Sequence, residues 1–414
     1  MLSRLFRRRL EFLSVLITLF FCSRAAAQVL TTSQVAFGQP PVPGAYFGAA
    51  LSTAYDNNVT ERPGGAGAQG SWIDGARLLA GFDGTYDRQH VVASADIGRF
   101  FYRQESLFDY TAANIQADAK SNFPGNIDTD VGVSRTQVLA RPADLNTIRN
   151  DVITRDTVNA SVYFPIAIDW HSVLGANGSL LRNSNVTDQP TNLNAAEGDL
   201  GVRYQTGALN YVDLLARFAH STYPDAAGTV YENNPYDDRG ADLRTGWKFS
   251  ESSQVVGHVG YLERRYENSY TLDFSGPTYD LTYFWTPSYK TAMTLYVLRQ
   301  EGPAGESGYL AAVTHTYRVT PAYLVTEKIR LEAYYQWSDL GYYGNAQGVG
   351  VGAPSSATST ARSDTDNNYG IAATWIPRRW LTLRLEAHRE QRSSNEPQYD
   401  FSENVAMLTA QARF

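Results

Sequence analysis

The chain has 414 residues with 35 basic and 42 acidic side chains, which gives a formal net charge of −7. This acidic balance argues against nucleic-acid binding. Cysteine occurs once and tyrosine 27 times, so an intrachain disulfide framework is excluded and the composition is unusually aromatic.

The first 27 residues have the pattern of an export signal. Arginines are concentrated between Arg4 and Arg9, an apolar run follows over residues 12–22, and three alanines over residues 25–27 form a small-residue cleavage site. Residues 1–27 are therefore predicted to be a cleaved signal peptide. Their removal takes away five arginines, Glu11 and the single cysteine, and leaves 30 basic and 41 acidic residues, a net charge of −11.

Residues 28–45 are polar, rich in proline and unpatterned, and we expect a periplasmic leader there. The remaining residues, 46–414, alternate apolar and polar side chains over segments of roughly ten to fifteen residues. In residues 328–338, for example, Ile329, Leu331 and Tyr335 share one face. No further apolar run is long enough for a transmembrane helix, so the alternation predicts a closed sheet in a membrane.

The connections between these segments alternate between short and long. Short connections are expected at 87–89, 123–127, 165–169, 205–209, 250–253, 286–289, 320–322 and 377–379, and long ones at 57–71, 141–150, 184–196, 224–236 and 341–366. Short periplasmic turns and long extracellular loops are typical of bacterial barrels. The sequence therefore predicts an all-β fold: a single-domain transmembrane antiparallel up-and-down β-barrel of about 18 strands in the outer membrane. Residues 110–140 show little alternation, so a barrel of 16 strands remains an alternative.

Aromatic side chains gather near both ends of the predicted strands. Such rings form girdles at the two membrane interfaces, where one edge stays apolar and the other wet. Tyr211 and Tyr266 are assigned to the girdles together with the seven tryptophans, Trp72, Trp170, Trp247, Trp285, Trp337, Trp375 and Trp380. The alternating last strand ends on Phe414, which resembles the terminal signal that barrel-assembly machinery recognises.

The region from Arg264, "RRYENSYTLDFSGPTYDLTYFWTPSYKTAMTLYVLRQ", resembles the EpsL-type barrels encoded with exopolysaccharide export systems, within the beta-barrel porin 2 group. The shared features are Arg265 before "DFSGP" and the W-x-P turn at Trp285 and Pro287. The resemblance implies an outer-membrane step in exopolysaccharide biosynthesis or secretion, with a polysaccharide substrate and contact with export machinery. It names no polymer and transfers no residue roles.

A barrel of 16 to 18 strands is wide enough for an aqueous lumen. Candidate residues for lining it, and for a glycan path, are the inward-facing polar positions Asp96, Arg203, Asp213, Arg217, Arg244, Arg264, Arg330, Glu332, Arg384, Glu386 and His388. Any water-filled barrel needs a polar wall, and pairing of acids with bases explains most of these residues. A second hypothesis is an arginine ladder for an anionic glycan.

No catalytic motif, cofactor site or metal site is predicted. The chain lacks G-x-S-x-G, H-E-x-x-H and phosphate-loop patterns. The segment "SDTDNN", which contains Asp364 and Asp366, lacks the glycine and distal glutamate of a calcium loop and is interpreted as a solvated loop tip. The chain is therefore expected to act as a passive, porin-like conduit for exopolysaccharide, with outer-membrane lipid around it. The alternative is a general or nutrient-uptake porin.

Overall fold

The computed structural model describes residues 44–65, 67–145, 147–227, 229, 234–268, 273–303, 309–345 and 362–414. The predicted signal peptide and nearly all of the predicted leader lie outside these ranges, as does most of the predicted loop at 341–366. The first strand begins at Gly44 rather than at Tyr46.

One antiparallel sheet of 18 strands makes up the fold. The strands are β1 (Gly44–Asp56), β2 (Ser71–Tyr86), β3 (Gln89–Tyr102), β4 (Tyr110–Phe123), β5 (Ile127–Leu139), β6 (Val152–Ala167), β7 (Trp170–Asn183), β8 (Leu193–Gln205), β9 (Tyr211–Thr222), β10 (Tyr236–Ser250), β11 (Ser253–Tyr266), β12 (Phe274–Ser288), β13 (Thr291–Pro303), β14 (Tyr309–Thr326), β15 (Ile329–Asn345), β16 (Ser363–Arg378), β17 (Leu381–Ser394) and β18 (Phe401–Arg413). A four-residue helix, α1 (Pro142–Leu145), lies between β5 and β6. The helices of the described ranges are all too short or too polar to cross a membrane.

Each strand pairs with its neighbours in sequence, and β1 pairs with both β2 and β18, so the sheet closes into a barrel. At the seam, Leu51 lies opposite Ala410. Phe47 and Phe414 exchange two backbone hydrogen bonds of 3.0 and 2.8 Å. The last residue of the chain therefore takes part in closing the barrel. The prediction of a single-domain, 18-stranded barrel is confirmed.

The connections are short at one end of the barrel and long at the other. Short turns occupy residues 87–88, 124–126, 168–169, 206–210, 251–252, 289–290, 327–328 and 379–380. The predicted turn at 320–322 is wrong, because these residues lie inside β14 and the turn follows Thr326. The predicted loop at 341–366 is shorter than expected, since β15 continues to Asn345 and β16 begins at Ser363. We call the two halves of the barrel the turn side and the loop side.

Successive side chains point alternately outward and inward, as strand geometry requires. On β17, Leu385 is 59% exposed whereas Glu386 is 2% exposed. The seven girdle tryptophans are on the outer surface, with Trp170, Trp247, Trp285, Trp375 and Trp380 near short turns. The girdle assignment is wrong for Tyr211, which packs on Arg203 inside the barrel, and for Tyr266, which is buried with Tyr236.

Candidate functional site: the barrel lumen

The exposure of inward-facing side chains differs between the two ends of the barrel. On the loop side, inward-facing side chains are packed: those of Glu390 and Arg392 are 0% and 1% exposed. On the turn side, the side chains of Arg330 and Lys120 are 33% and 43% exposed. The turn-side half, which we call the vestibule, therefore keeps exposed charged side chains among buried ones such as Thr382 and Gln411, and the loop-side half is filled by side chains and by loops that fold inward.

The main inward-folded connection is residues 140–151, between β5 and β6, which we call the strap. Its Arg141 donates from Nε to Glu61 at 2.8 Å and from Nη2 to Glu390 on β17. The backbone N–H of Ala143 in α1 donates to the other Glu61 oxygen at 3.0 Å. Strands β4 to β1 and then β18 separate β5 from β17 around the wall, so the strap crosses the lumen instead of following the rim.

A second arginine fixes the strap from the wall. Arg392 on β17 donates to Asp144 of α1 at 2.7 Å. Arg141 and Arg392 both lie within 4 Å of Asp366, and both guanidinium groups lie over the Phe401 ring at 5.3 and 5.2 Å. A pocket of about 60 Å³ remains beneath the strap, room for only a few water molecules.

Burial and neighbouring charges shift the pKa values of Glu61 and Arg141 at this contact. Burial raises the pKa of the Glu61 carboxyl, although Arg141 opposes that shift. Burial lowers the pKa of Arg141, but the carboxylates of Glu390 and Glu61 outweigh this effect and hold it above the ordinary range. Arg141 therefore stays charged and is the centre of the contact between strap and wall.

Four arginines run up the wall formed by β8 to β11. Arg203 and Arg244 lie nearest the turn side, both opposite Asp213 of β9, and Arg217 and then Arg264 lie farther toward the loop side. Arg203 lies between the rings of Tyr163 and Tyr211, 4.0 and 4.1 Å from their centroids. The structure thus places these predicted lumen residues in one continuous file.

Carboxylates accompany every arginine of this file. Arg203 forms a bidentate pair with Asp213 at 2.6 and 2.8 Å, and Arg264 forms one with Asp238 at 2.7 and 2.8 Å. The middle of the file is paired in the same way, by contacts of Arg217 with Glu197 and Asp242 and of Arg244 with Asp199 and Asp242. The file is therefore charge-balanced, which favours acid–base pairing over a ladder for anions.

The remaining predicted positions lie on two other parts of the wall. Arg384 on β17 donates to Glu332 at 2.7 Å and to Glu386 at 3.1 Å, and Arg330 contacts Glu332 at 2.8 Å. His388 faces inward above Glu386 and is buried. Asp96 on β3 accepts a hydrogen bond from Asn114 at 3.2 Å. All eleven predicted positions face inward, but they form separate groups.

Several residues of the packed half were missed by reasoning from sequence. Arg141, Glu61 and Asp144 come from connections and carry no strand pattern, and only the charge of Arg141 within a long connection could have drawn attention to it. The interpretation of Asp364 and Asp366 as a solvated tip is wrong, because both are buried in β16 and Asp364 pairs with Arg362. In the part of the chain that is described, no group of three His, Cys, Asp or Glu side chains is placed to hold a metal ion.

Comparison with known proteins finds one family match and several similar solved structures. A family model described as "Putative beta-barrel porin 2" matches residues 219–414. Among solved structures, OpdK of Pseudomonas aeruginosa is similar at 10% identity, over 89% of this chain and 99% of that chain, with a TM-score of 0.45. OccK2 (OpdF) of the same organism is 9% identical over 89% and 98% of the two chains, with a TM-score of 0.48. OccAB3 of Acinetobacter baumannii is 10% identical over 89% and 99%, with a TM-score of 0.45.

No curated protein matches the chain. Identities this low concern the fold alone. The closed 18-stranded sheet marks the chain as an outer-membrane β-barrel surrounded by membrane lipid, and residues 219–414 are similar to a porin family.

Proposed function

We propose that this barrel is a channel for small polar solutes, which cross the outer membrane through the wet vestibule and past the strap. The observation that carries the proposal is the contrast between a hydrated, charge-balanced turn side and a loop side closed around Arg141. The eleven predicted lumen residues line this path. This is the nutrient-uptake alternative of the sequence analysis.

The strap disfavours a polymer as the solute. A glycan chain occupies the whole length of a pore at once, so it needs a continuous bore. Passage of a polymer would have to displace the strap and break the buried pairs of Arg141 with Glu61 and Glu390. Breaking such a pair typically costs about 3–5 kcal/mol. A small solute needs only a brief opening.

The wall chemistry favours neutral, hydrated solutes. Paired arginines and carboxylates offer many hydrogen bonds without a strong net field. We therefore propose mono- and oligosaccharides, or solutes of similar polarity, rather than anions.

Liposome swelling tests the proposal directly. Vesicles containing the protein should admit a monosaccharide faster than a trisaccharide and should retain an entrapped polysaccharide. The control is a variant in which residues 142–148 are replaced by a glycine-serine linker of equal length, which should admit the trisaccharide faster than wild type does. Release of the polysaccharide by wild-type protein would refute the proposal.

A second candidate is a passive role in exopolysaccharide secretion, with contacts to export machinery. It is favoured by the resemblance of residues 264–300 to EpsL-type barrels, in the half of the chain that the porin family model matches. Deleting the protein and weighing extracellular polysaccharide separates the two candidates. Reduced yield supports secretion, whereas normal yield with poor growth on one sugar supports uptake. Neither candidate includes a catalytic step.

A further inference from the structure

Charged side chains of opposite sign line different walls of the vestibule. On β2 to β5, the inward-facing charged side chains of the turn-side half are one lysine and four aspartates: Lys120, Asp83, Asp118, Asp128 and Asp130. Lys120 lies 3.6 Å from Asp130, and His90 contacts Asp83 at 2.9 Å. With the histidine neutral, these strands carry a net charge of −3, and we call them the acidic wall.

Two aspartates of the acidic wall are paired with neutral groups. The Gln116 side chain donates to Asp118 at 2.9 Å, and the Asn122 side chain donates to Asp128 at 2.6 Å. Neither carboxylate has a basic partner among the described residues. A side-chain amide satisfies a carboxylate oxygen as a hydrogen-bond acceptor but does not cancel its charge. Asp118 and Asp128 therefore present negative charge to the lumen.

The strands β14 to β18 carry the opposite sign. Their inward-facing charged side chains in the turn-side half are four arginines and two glutamates: Arg318, Arg330, Arg384, Arg413, Glu332 and Glu386. We call this the basic wall, and its net charge is +2. The Arg318 guanidinium lies 4.4 Å from the centre of the Tyr334 ring, and its Nε donates to the Thr320 hydroxyl at 3.3 Å. In the described part of the chain, no carboxylate pairs with Arg318.

The two walls face each other across the lumen. β14 is nine strands from β5 in either direction around the 18-stranded sheet, which is the largest separation that the sheet allows. Arg318 on β14 therefore lies across the lumen from Asp128 on β5. On β8 to β11, between the walls, the arginine file is paired with carboxylates. Charge in the vestibule is thus nearly balanced in sum but separated across its width.

This separation acts on the two ends of a dipolar solute. A cleft with charged, low-dielectric walls focuses the electric field into the water between them. A solute with an ammonium and a carboxylate group has its lowest energy with the ammonium toward Asp118 and Asp128 and the carboxylate toward Arg318. A cation or an anion is attracted by one wall and repelled by the other, and a neutral sugar responds less.

We propose that the vestibule orients small zwitterionic solutes across its width, and that these pass more readily than neutral solutes of the same size. The acidic wall receives their positive end and the basic wall their negative end. The inference rests on the proposed function, because it concerns the same lumen, and it adds a class of solute to the sugars proposed there.

The test is liposome swelling with diglycine, a zwitterion, and with N-acetylglycinamide, a neutral compound of similar size. Wild-type protein should admit diglycine about threefold faster, because attraction through water changes the population at each wall only a few-fold. D118N/D128N and R318Q should each bring the ratio of the two rates close to one without slowing the neutral compound. The matched control, D87N/D169N, removes two aspartates from turns at the same end of the barrel and should keep the wild-type ratio.

The reversal potential in a salt gradient gives a second readout. D118N/D128N should shift it toward anion selectivity and R318Q toward cation selectivity, and a merely structural effect would not produce opposite signs. Folding of each variant is checked by heat-modifiable electrophoretic mobility. Equal entry of the two compounds through wild-type protein, or shifts of the same sign in the two variants, would overturn the inference while sugar entry still supported the channel. Exclusion of both compounds and of sugars would refute the proposed function as well.

Discussion

At the residue scale, Arg141 is the side chain on which closure of the loop side depends. It connects Glu61 of the first long connection with Glu390 of the wall, and its side chain is only 4% exposed. A buried network of charged side chains contributes little to net stability and more to the selection of one conformation. Removing one of its side chains is nevertheless costly, because it leaves a buried charge without a partner. We therefore expect substitutions at Arg141 to act on the open and closed states of the channel.

Replacement of Arg141 by methionine should open the channel. The change leaves the Glu61 and Glu390 carboxylates facing each other in a buried site, at a cost of about 3–5 kcal/mol to the packed state. Single-channel recording in planar bilayers should show higher mean conductance and fewer closures. The control is Arg103→Met, which breaks an exposed pair with Asp74 and should leave conductance unchanged. Wild-type conductance of R141M would contradict the assigned role.

Replacement of Arg217, Arg244 and Arg330 together by glutamine should shift the channel toward cation selectivity. Their partners Glu197, Asp199 and Asp242 then line the lumen uncompensated, whereas Glu332 keeps its pair with Arg384. The measurement is the reversal potential in a potassium chloride gradient. The matched control removes the lipid-facing Arg135, Arg182 and Arg389 and should leave the potential unaltered. An unchanged reversal potential in the lumen variant would show that these arginines do not face the conducting path.

Sequence periodicity predicts whether a side chain faces into or out of the barrel, but not which residues it contacts. Glu386 and His388 were placed inward correctly because strand parity survives over a whole strand. Arg141 and Glu390 are 249 positions apart, so their pairing cannot be predicted from the local alternation of apolar and polar residues. Tyr211 and Tyr266 were misassigned because aromatic rings suit both an interfacial girdle and the rim of a polar lumen.

At the element scale, the strap is a connection that crosses the lumen. Its fold is maintained by side chains rather than by length: the Asp151 carboxyl accepts the backbone N–H of Asn185 at 2.8 Å, and the Asn150 side chain donates to the Leu107 carbonyl at 2.7 Å. Neighbouring connections therefore support the strap from both sides. We expect it to move as one unit.

Acidification should favour the closed strap. Burial raises the pKa of the Glu61 carboxyl above its ordinary value of 4.5 while the strap is packed. At pH values between 4.5 and this raised pKa, Glu61 therefore binds a proton in the packed state and loses it when the strap is released. The packed state is thus relatively more stable below this window and loses that advantage as pH rises through it. Mean conductance should fall as the pH is lowered through this window, and Glu61→Gln should weaken the dependence. A rise in conductance on acidification would contradict this assignment.

The turns show how element boundaries depend on context. Residues 320–322, Thr-Pro-Ala, read locally as a turn, yet Pro321 lies inside β14, opposite Met293. Its missing N–H is tolerated because Thr320 and Pro321 have no paired residue on β15, while Val319 and Ala322 on either side keep the same register. Proline normally occurs at strand edges and irregularities, so the sequence indicated an irregularity but not its kind.

At the scale of the whole molecule, the barrel was largely predictable and its plugged state was not. Alternation, loop sorting and the terminal strand each follow from the requirement that a sheet in lipid must close and keep apolar side chains outside. The filling of the loop side arises from contacts between connections, which are set only after closure. The seam between β1 and β18 is where the first and last strands of the sheet pair.

Phe414 should govern the yield of closed barrels. Its ring stacks on Trp380 at 5.8 Å and lies 5.8 Å from Phe47, while its backbone exchanges two hydrogen bonds with Phe47. Phe414→Ala removes only the ring contacts, worth about 0.5–1.5 kcal/mol each, whereas deletion of Phe414 removes the backbone pairing as well. The heat-modifiable fraction in membranes should therefore decrease from wild type to F414A and further in the deletion, with Phe414→Tyr close to wild type. Full assembly of the deletion variant would show that closure of the seam does not need the terminal residue.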